Sequence, residues 1–206
     1  MLAPLTRSPN FGVAFSNGWN VYKNNFGPIF LGSLIASLLG AVSCGICAAP
    51  LTCGLMMMIL NFLRNSEPKP TAGKVMDGFQ KFGPAFLTAI VIGLVSGVVQ
   101  SILAFIPFIG IVLGTVVSIA LSAASSWALL LIADKNATFG EAIGTSVQLV
   151  TKGPFWGFVL VSFVAGLVGA LGLVACGIGI LFTLPLAICI TVAAYEEAYG
   201  SVATQG

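Results

Sequence analysis

Hydrophobic positions fill three long blocks, 24–63, 82–133 and 153–195, and every charged residue lies outside them. The polar islands are residues 1–23, 64–81, 134–152 and the tail from 196 onward. One bilayer crossing takes about 20 apolar residues, and each block is at least twice that long. Each block therefore has room to cross and return. Inside each, a Gly- or Pro-bearing word supplies a turn: SCGICAAPL (43–51), FIPFIG (105–110) and ACGIGILF (175–182). The pattern predicts an all-α fold, a polytopic membrane helical bundle of about six transmembrane helices arranged as three hairpins. The arms of the first hairpin are only about 16–18 residues long, short for a full span.

A Gly-Pro stands at the foot of every block, at Gly27-Pro28, Gly83-Pro84 and Gly153-Pro154. An amphipathic stretch precedes each one. In the first, Phe11, Phe15, Trp19, Tyr22 and Phe26 fall on one helical face, while Asn10, Asn17, Asn20, Lys23 and Asn24 fall on the other. Val75, Phe79 and Phe82 repeat the stripe beside Lys74, Asp77 and Lys81. Ala142, Ile143, Val147 and Val150 repeat it more weakly, with Asn136 or Thr138 as cap and Glu141 in the first turn. Aromatic rings backed by polar groups suit the membrane–water boundary. The expected interfacial anchors are Phe11, Phe15, Trp19, Tyr22, Phe26, Phe79, Phe82 and Trp156. Gly27 reads as the end of a surface helix and Pro28 as the start of a descending one. The single membrane domain, 1–206, thus divides into repeat units at about 9–64, 72–134 and 138–200, all starting on the same side.

Composition agrees with this class. The chain has 206 residues, of which 58% are hydrophobic and 7% charged, where a soluble domain carries about a quarter charged. The net charge of +2 and the absence of His leave no basis for nucleic-acid binding. By the positive-inside rule the islands face the cytoplasm, which predicts a multi-pass protein of the bacterial cytoplasmic (inner) membrane with both termini inside. The first residues are too polar for a signal peptide and are expected to be retained.

Candidate chemistry is sparse. No Asp, Glu, Lys, Arg or His lies within a block, which argues against proton-coupled transport, intramembrane proteolysis and haem ligation. No catalytic residue, cofactor site or metal site is expected. Small residues recur four apart at Gly32, Ala36, Gly40 and Cys44, at Gly93, Gly97 and Ser101, at Gly110, Gly114, Ser118, Ser122 and Ser126, and at Ser162, Gly166 and Ala170. Such rows pack helices closely; the alternative is a narrow polar path along Gln100, Thr115, Ser118, Ser122 and Ser126. Cys44, Cys47, Cys53, Cys176 and Cys189 read first as small packing residues. A disulfide among the first four is the alternative, and the C-x-x-C at 44–47 lacks a basic neighbour to activate it. Asn136-Ala137-Thr138 matches a glycosylation acceptor but falls on the cytoplasmic side.

The segment LLIADKNATFGEAIGTSVQLVTKGPFWGFVL (130–160) and the closing PLAICITVAAYEEAYG (185–200) resemble a bacterial and archaeal six-helix integral-membrane family of unknown function. That family is related to the membrane domain of glycerophosphodiester phosphodiesterases. The resemblance rests on Asp134, Glu141-Ala142, Ser146, Lys152, Tyr195-Glu196 and Tyr199-Gly200, and it implies a six-helix bundle with both termini inside. It brings no catalytic residues. The expected function is a non-catalytic integral membrane protein, an accessory, scaffold or assembly subunit. Its partners would be the lipid bilayer and other membrane-protein subunits or a second copy, with no nucleic acid. The alternative is a channel or carrier for a small neutral or lipidic molecule.

Overall fold

The computed structural model describes residues 10–105, 109–152, 160–168 and 179–199, and every regular element among them is helical. Helices α1 (Phe11–Asn24), α2 (Phe26–Val42) and α3 (Ala48–Leu63) are followed by a 3-10 helix (Ala72–Lys81) that continues into α4 (Phe82–Leu103). Next come α5 (Ile109–Lys135), α6 (Phe139–Lys152), helical residues 160–168 (α7) and α8 (Ile180–Tyr199).

Helix α1 starts on Asn10, whose side-chain oxygen accepts the Gly12 N–H at 3.0 Å. It stops at Asn25, and α2 leaves at 92° to it. The break therefore precedes the Gly-Pro. Asn25 turns both its backbone N–H and its side-chain amide back to the Val21 carbonyl, at 3.0 and 3.2 Å. Gly27 and Pro28 stand in the first turn of α2, as Gly83 and Pro84 do in α4 and Pro50 does in α3. The expectation that Gly27 ends a helix is corrected. Pro is accommodated because first-turn N–H groups have no intrahelical partner. A Cβ on Gly27 or Gly83 would meet nothing within 4 Å. Gly153-Pro154 and residues 106–108 lie outside the described residues, as does the first half of the third turn.

The first hairpin closes with a Schellman turn. Gly45 N–H reaches the Gly40 carbonyl at 2.8 Å, Cys44 N–H reaches Ala41 at 3.1 Å, and Cys44 sits at φ 50°. Helix α3 ends in the same way: Ser66 N–H bonds to Asn61 O at 2.9 Å and Asn65 N–H to Phe62 O at 3.2 Å, with Asn65 at φ 49°. Asn136, after α5, is left-handed too, at φ 52°.

Helices α4, α5 and α8 are long and apolar enough to cross a membrane, and the bent α1–α2 pair is a fourth if counted as one span. Helices α2 and α3 have 17 and 16 residues. At 1.5 Å per residue they reach roughly 25 Å, against a hydrocarbon core of about 30 Å. The arms of the first hairpin are short, as read.

Each amphipathic segment lies on a returning helix. Helix α1 runs antiparallel along α8: Asn10 N–H bonds to Glu197 Oε1 at 3.0 Å, and Tyr22 Oη donates to the Phe182 carbonyl at 3.0 Å. Between these contacts, a Cβ on Gly18 would stand 2.8 Å from the Ile190 backbone. The second segment is a 3-10 helix rather than an α-helix, so residues three apart share a face. Val75 and Gly78 therefore turn inward, while Met76 and Phe79 turn out. This corrects the expected Val75–Phe79–Phe82 stripe. A Cβ on Gly78 would lie 2.6 Å from Gly54 N and collide with the Pro50 carbonyl, and one on Gly54 would be 2.8 Å from Val75 C. The two backbones touch. Helix α6 packs on α5. At its head, Glu141 Oε2 accepts both the Thr138 N–H (3.1 Å) and the Thr138 hydroxyl (2.9 Å), so Thr138 rather than Asn136 caps it.

The core gathers around α3, the second half of α5 and the end of α8, with Ile29, Val75, Ala85 and Val161 entering from other elements. The far half of the α4–α5 hairpin is bare: Leu94, Val98, Ile102 and Phe105 are exposed. Small-residue rows divide accordingly. Gly32 packs tightly against Val75 and Met58, whereas Gly93, Gly97 and Gly166 have nothing within 4 Å of a built Cβ.

Candidate functional site

The ends of α3, α5 and α8 meet in one ionic cluster. Arg64, in the capping position of α3, grips the Glu196 carboxylate with two donors, Nε at 3.0 Å and Nη2 at 2.7 Å. Its Nη1 reaches Asp134 Oδ1 at 2.5 Å. Asp134 Oδ2 accepts Tyr195 Oη at 3.0 Å and lies 3.2 Å from Lys135 Nζ. Tyr195 in turn packs on Trp127, ring centroids 5.5 Å apart. Two carboxylates face two cations, so the cluster is charge-balanced. The fork of hydrogen bonds to Glu196, then those to Asp134, hold the guanidinium charged more firmly than usual. Glu196 is fully enclosed, while the Arg64 side chain keeps 34% exposure. Chemically this is a clasp, joining three helix ends where the apolar blocks stop.

Beside the clasp, α3's final turn and the loop after it face the α1–α2 corner across a polar cavity of about 260 Å³. Asn24, Asn25, Asn61, Asn65, Glu67 and Lys69 contribute to its wall, with Phe62 behind them. Asn25 is held by its bond to Val21; among the described residues, the side-chain amides of Asn24, Asn61 and Asn65 bond to no protein group. A second cavity, about 410 Å³, opens between α2, α3 and α8, lined by Ser33, Ser37, Thr52, Leu55, Leu184 and Ile188 among others. Ser33 and Thr52 turn their hydroxyls to their own helix carbonyls, leaving a largely apolar crevice.

The residues of the expected polar path sit as follows. Gln100 donates to the Gly114 carbonyl at 3.1 Å and to Ser118 Oγ, bridging α4 and α5. Ser118, Ser122 and Ser126 bond back to carbonyls of α5 at 2.8, 2.9 and 2.9 Å. Thr115 is exposed. Gln100 is brought to Gly114 and Ser118, while Ser122 and Ser126 spend their protons locally.

Of the expected anchors, Phe15, Trp19, Phe26 and Phe79 are exposed, Phe11 and Phe82 half-buried, and Tyr22 buried. Phe26 stacks on Phe30 and Phe182, with centroids 5.3 and 6.2 Å away. Trp156 lies outside the described residues. Cys44, Cys47, Cys53 and Cys189 are free thiols, Cys44 exposed and Cys53 and Cys189 buried; Cys176 is outside the described residues. Among the described residues no His, Cys, Asp or Glu cluster has the makings of a metal site.

The charge-based reading used Arg64, Asp134 and Glu196 only as markers of topology and missed the clasp. One signal was present: each is the first charged residue after an apolar block, and their signs are complementary. No family profile, curated protein or solved structure matches this chain.

Proposed function

We propose that the chain is a non-catalytic integral membrane protein, an accessory, scaffold or assembly subunit held in a cytoplasmic membrane with both termini in the cytoplasm. The observation that carries this reading is α4. It is long and apolar enough to span, yet it buries only Ala85 and Thr88. The Gly93–Gly97–Ser101 row stands exposed on it, flanked by Leu94 and Val98. Small residues on a lipid-facing helix let a second helix approach closely, with van der Waals contact as the drive. The enclosed clasp gives the bundle a fixed base from which α4 and α5 project. The three amphipathic segments, each seated on a returning helix, support an internal three-fold repeat, and the resemblance to the six-helix membrane family fits the same plan. A photo-crosslinking residue at position 97 should yield discrete protein adducts in native membranes, and one at Leu31 should yield lipid adducts. Lipid adducts alone at both positions would sink the reading.

The crevice between α2, α3 and α8 favours a second reading, carriage of a small neutral or lipidic molecule. Filling it with Ser37→Phe should then abolish uptake or exchange of that molecule while leaving the fold intact.

A further inference from the structure

The polar cavity at the α1–α2 corner has a wall of amides and charges, most of them exposed. Lys69 and Glu67 supply one charge of each sign, and Asn24, Asn61 and Asn65 supply amides that bond to no other described residue. Such a wall offers donors and acceptors together with both charges, the complement of a zwitterion rather than of a simple anion. Its volume, about 260 Å³, lies just under the ~300–1,000 Å³ typical of pockets for drug-sized ligands, so it suits a headgroup rather than a whole metabolite. Its place in the fold bears on its depth as well. It sits on the final turn of apolar α3, next to the ionic clasp, and beneath the corner where α1 gives way to α2. Charged groups of this kind belong outside the hydrocarbon, at the level of lipid headgroups.

We propose that this cavity binds the headgroup of a zwitterionic phospholipid bearing a primary ammonium, of the phosphatidylethanolamine class. Lys69 Nζ and the amide N–H groups of Asn61 and Asn65 meet the phosphate, Glu67 meets the ammonium, and the acyl chains run down the apolar flank of α2. The cavity then tethers the short first hairpin to one leaflet. The proposal is independent of the scaffold reading, because it needs no protein partner.

The test uses the full chain in detergent, titrated with short-chain phosphatidylethanolamine, phosphatidylglycerol and inorganic phosphate, with binding read by native mass spectrometry and by thermal shift. Phosphatidylethanolamine should bind and raise Tm, and the other two should bind at least about tenfold more weakly. Lys69→Ala should weaken phosphatidylethanolamine about tenfold, since charge-assisted hydrogen bonds carry that much. Glu67→Gln should bring it down to the level of phosphatidylglycerol. Both side chains are exposed, so both variants keep the fold. Equal binding of phosphatidylglycerol, or an equal shift from inorganic phosphate, would overturn the zwitterion assignment. Unchanged phosphatidylethanolamine binding in the Lys69→Ala, Glu67→Gln double variant would overturn the site.

Discussion

At Gly54 and Gly78 two backbones share the space that a single methyl group would fill. Because the colliding atoms are backbone, rotamer changes offer no relief, so overpacking here exceeds the usual ~1–3 kcal/mol. Gly78→Ala should destabilise the protein by about 3 kcal/mol or more, seen as a lowered Tm in detergent. Gly27→Ala, with open space around it, should be neutral or slightly stabilising. An equal cost at the two positions would contradict the contact. Arg64→Met removes the partner of an enclosed carboxylate. Breaking a buried pair costs about 3–5 kcal/mol, and the partial exposure of Arg64 puts the expected loss nearer 3. Adding Glu196→Leu should restore part of it. The glycine contact was not legible in the sequence, where Gly54 is one glycine among 25, and of the Arg64 contact only the complementary signs at the block ends could be read. A close approach between segments distant in sequence leaves no periodic trace.

Among elements, α1 was the most legible, because its aromatic spacing is local, although its Asn10 cap was read only as part of the polar face. Its partner was not. Ala14, Gly18 and Tyr22 face α8, while Phe15 and Trp19 on the neighbouring face stay exposed. Replacing Phe15 and Trp19 by Ser should leave the α1–α8 contact in place while reducing quenching of α1-attached fluorophores by brominated lipids. Unchanged quenching would end the anchoring role. The 3-10 segment was misread because its inward face repeats every three residues, close enough to the helical period to be mistaken for it over ten residues. For α6 the Thr138–Glu141 pair was readable. Hydrogen bonds from the Thr138 backbone and then its hydroxyl hold the Glu141 carboxyl below its ordinary value. Its stabilising effect is therefore present above the unfolded carboxyl pKa, about 4.3, and is lost as pH falls through the lower folded value. Amide protection at 138–142, relative to the intrinsic exchange rate at each pH, should fall over that acid range, and Glu141→Gln should remove this pH dependence of protection.

For the whole molecule, charge placement was the most informative sequence signal. It put the ends of α3, α5 and α8 at one end of the bundle, and the Arg64–Asp134–Glu196 clasp joins those three ends. Which face of the membrane that end occupies is open to direct measurement. In sealed vesicles of known orientation, an impermeant maleimide should reach Cys44 from outside only, and cysteines placed at 66–74 or 134–138 from inside only. Buried Cys53 and Cys189 should stay silent. Labelling of both sets from the same side would overturn the topology.

The seating of α1 on α8 also carries a timetable. During synthesis α1 is the earliest described helix to emerge, and the surface that covers Ala14, Gly18 and Tyr22 is the last. Until α8 is inserted, the face of α1 that carries Ala14, Gly18 and Tyr22 lacks the helix that covers it. The contact between α1 and α8 is therefore the one that waits longest for its second half.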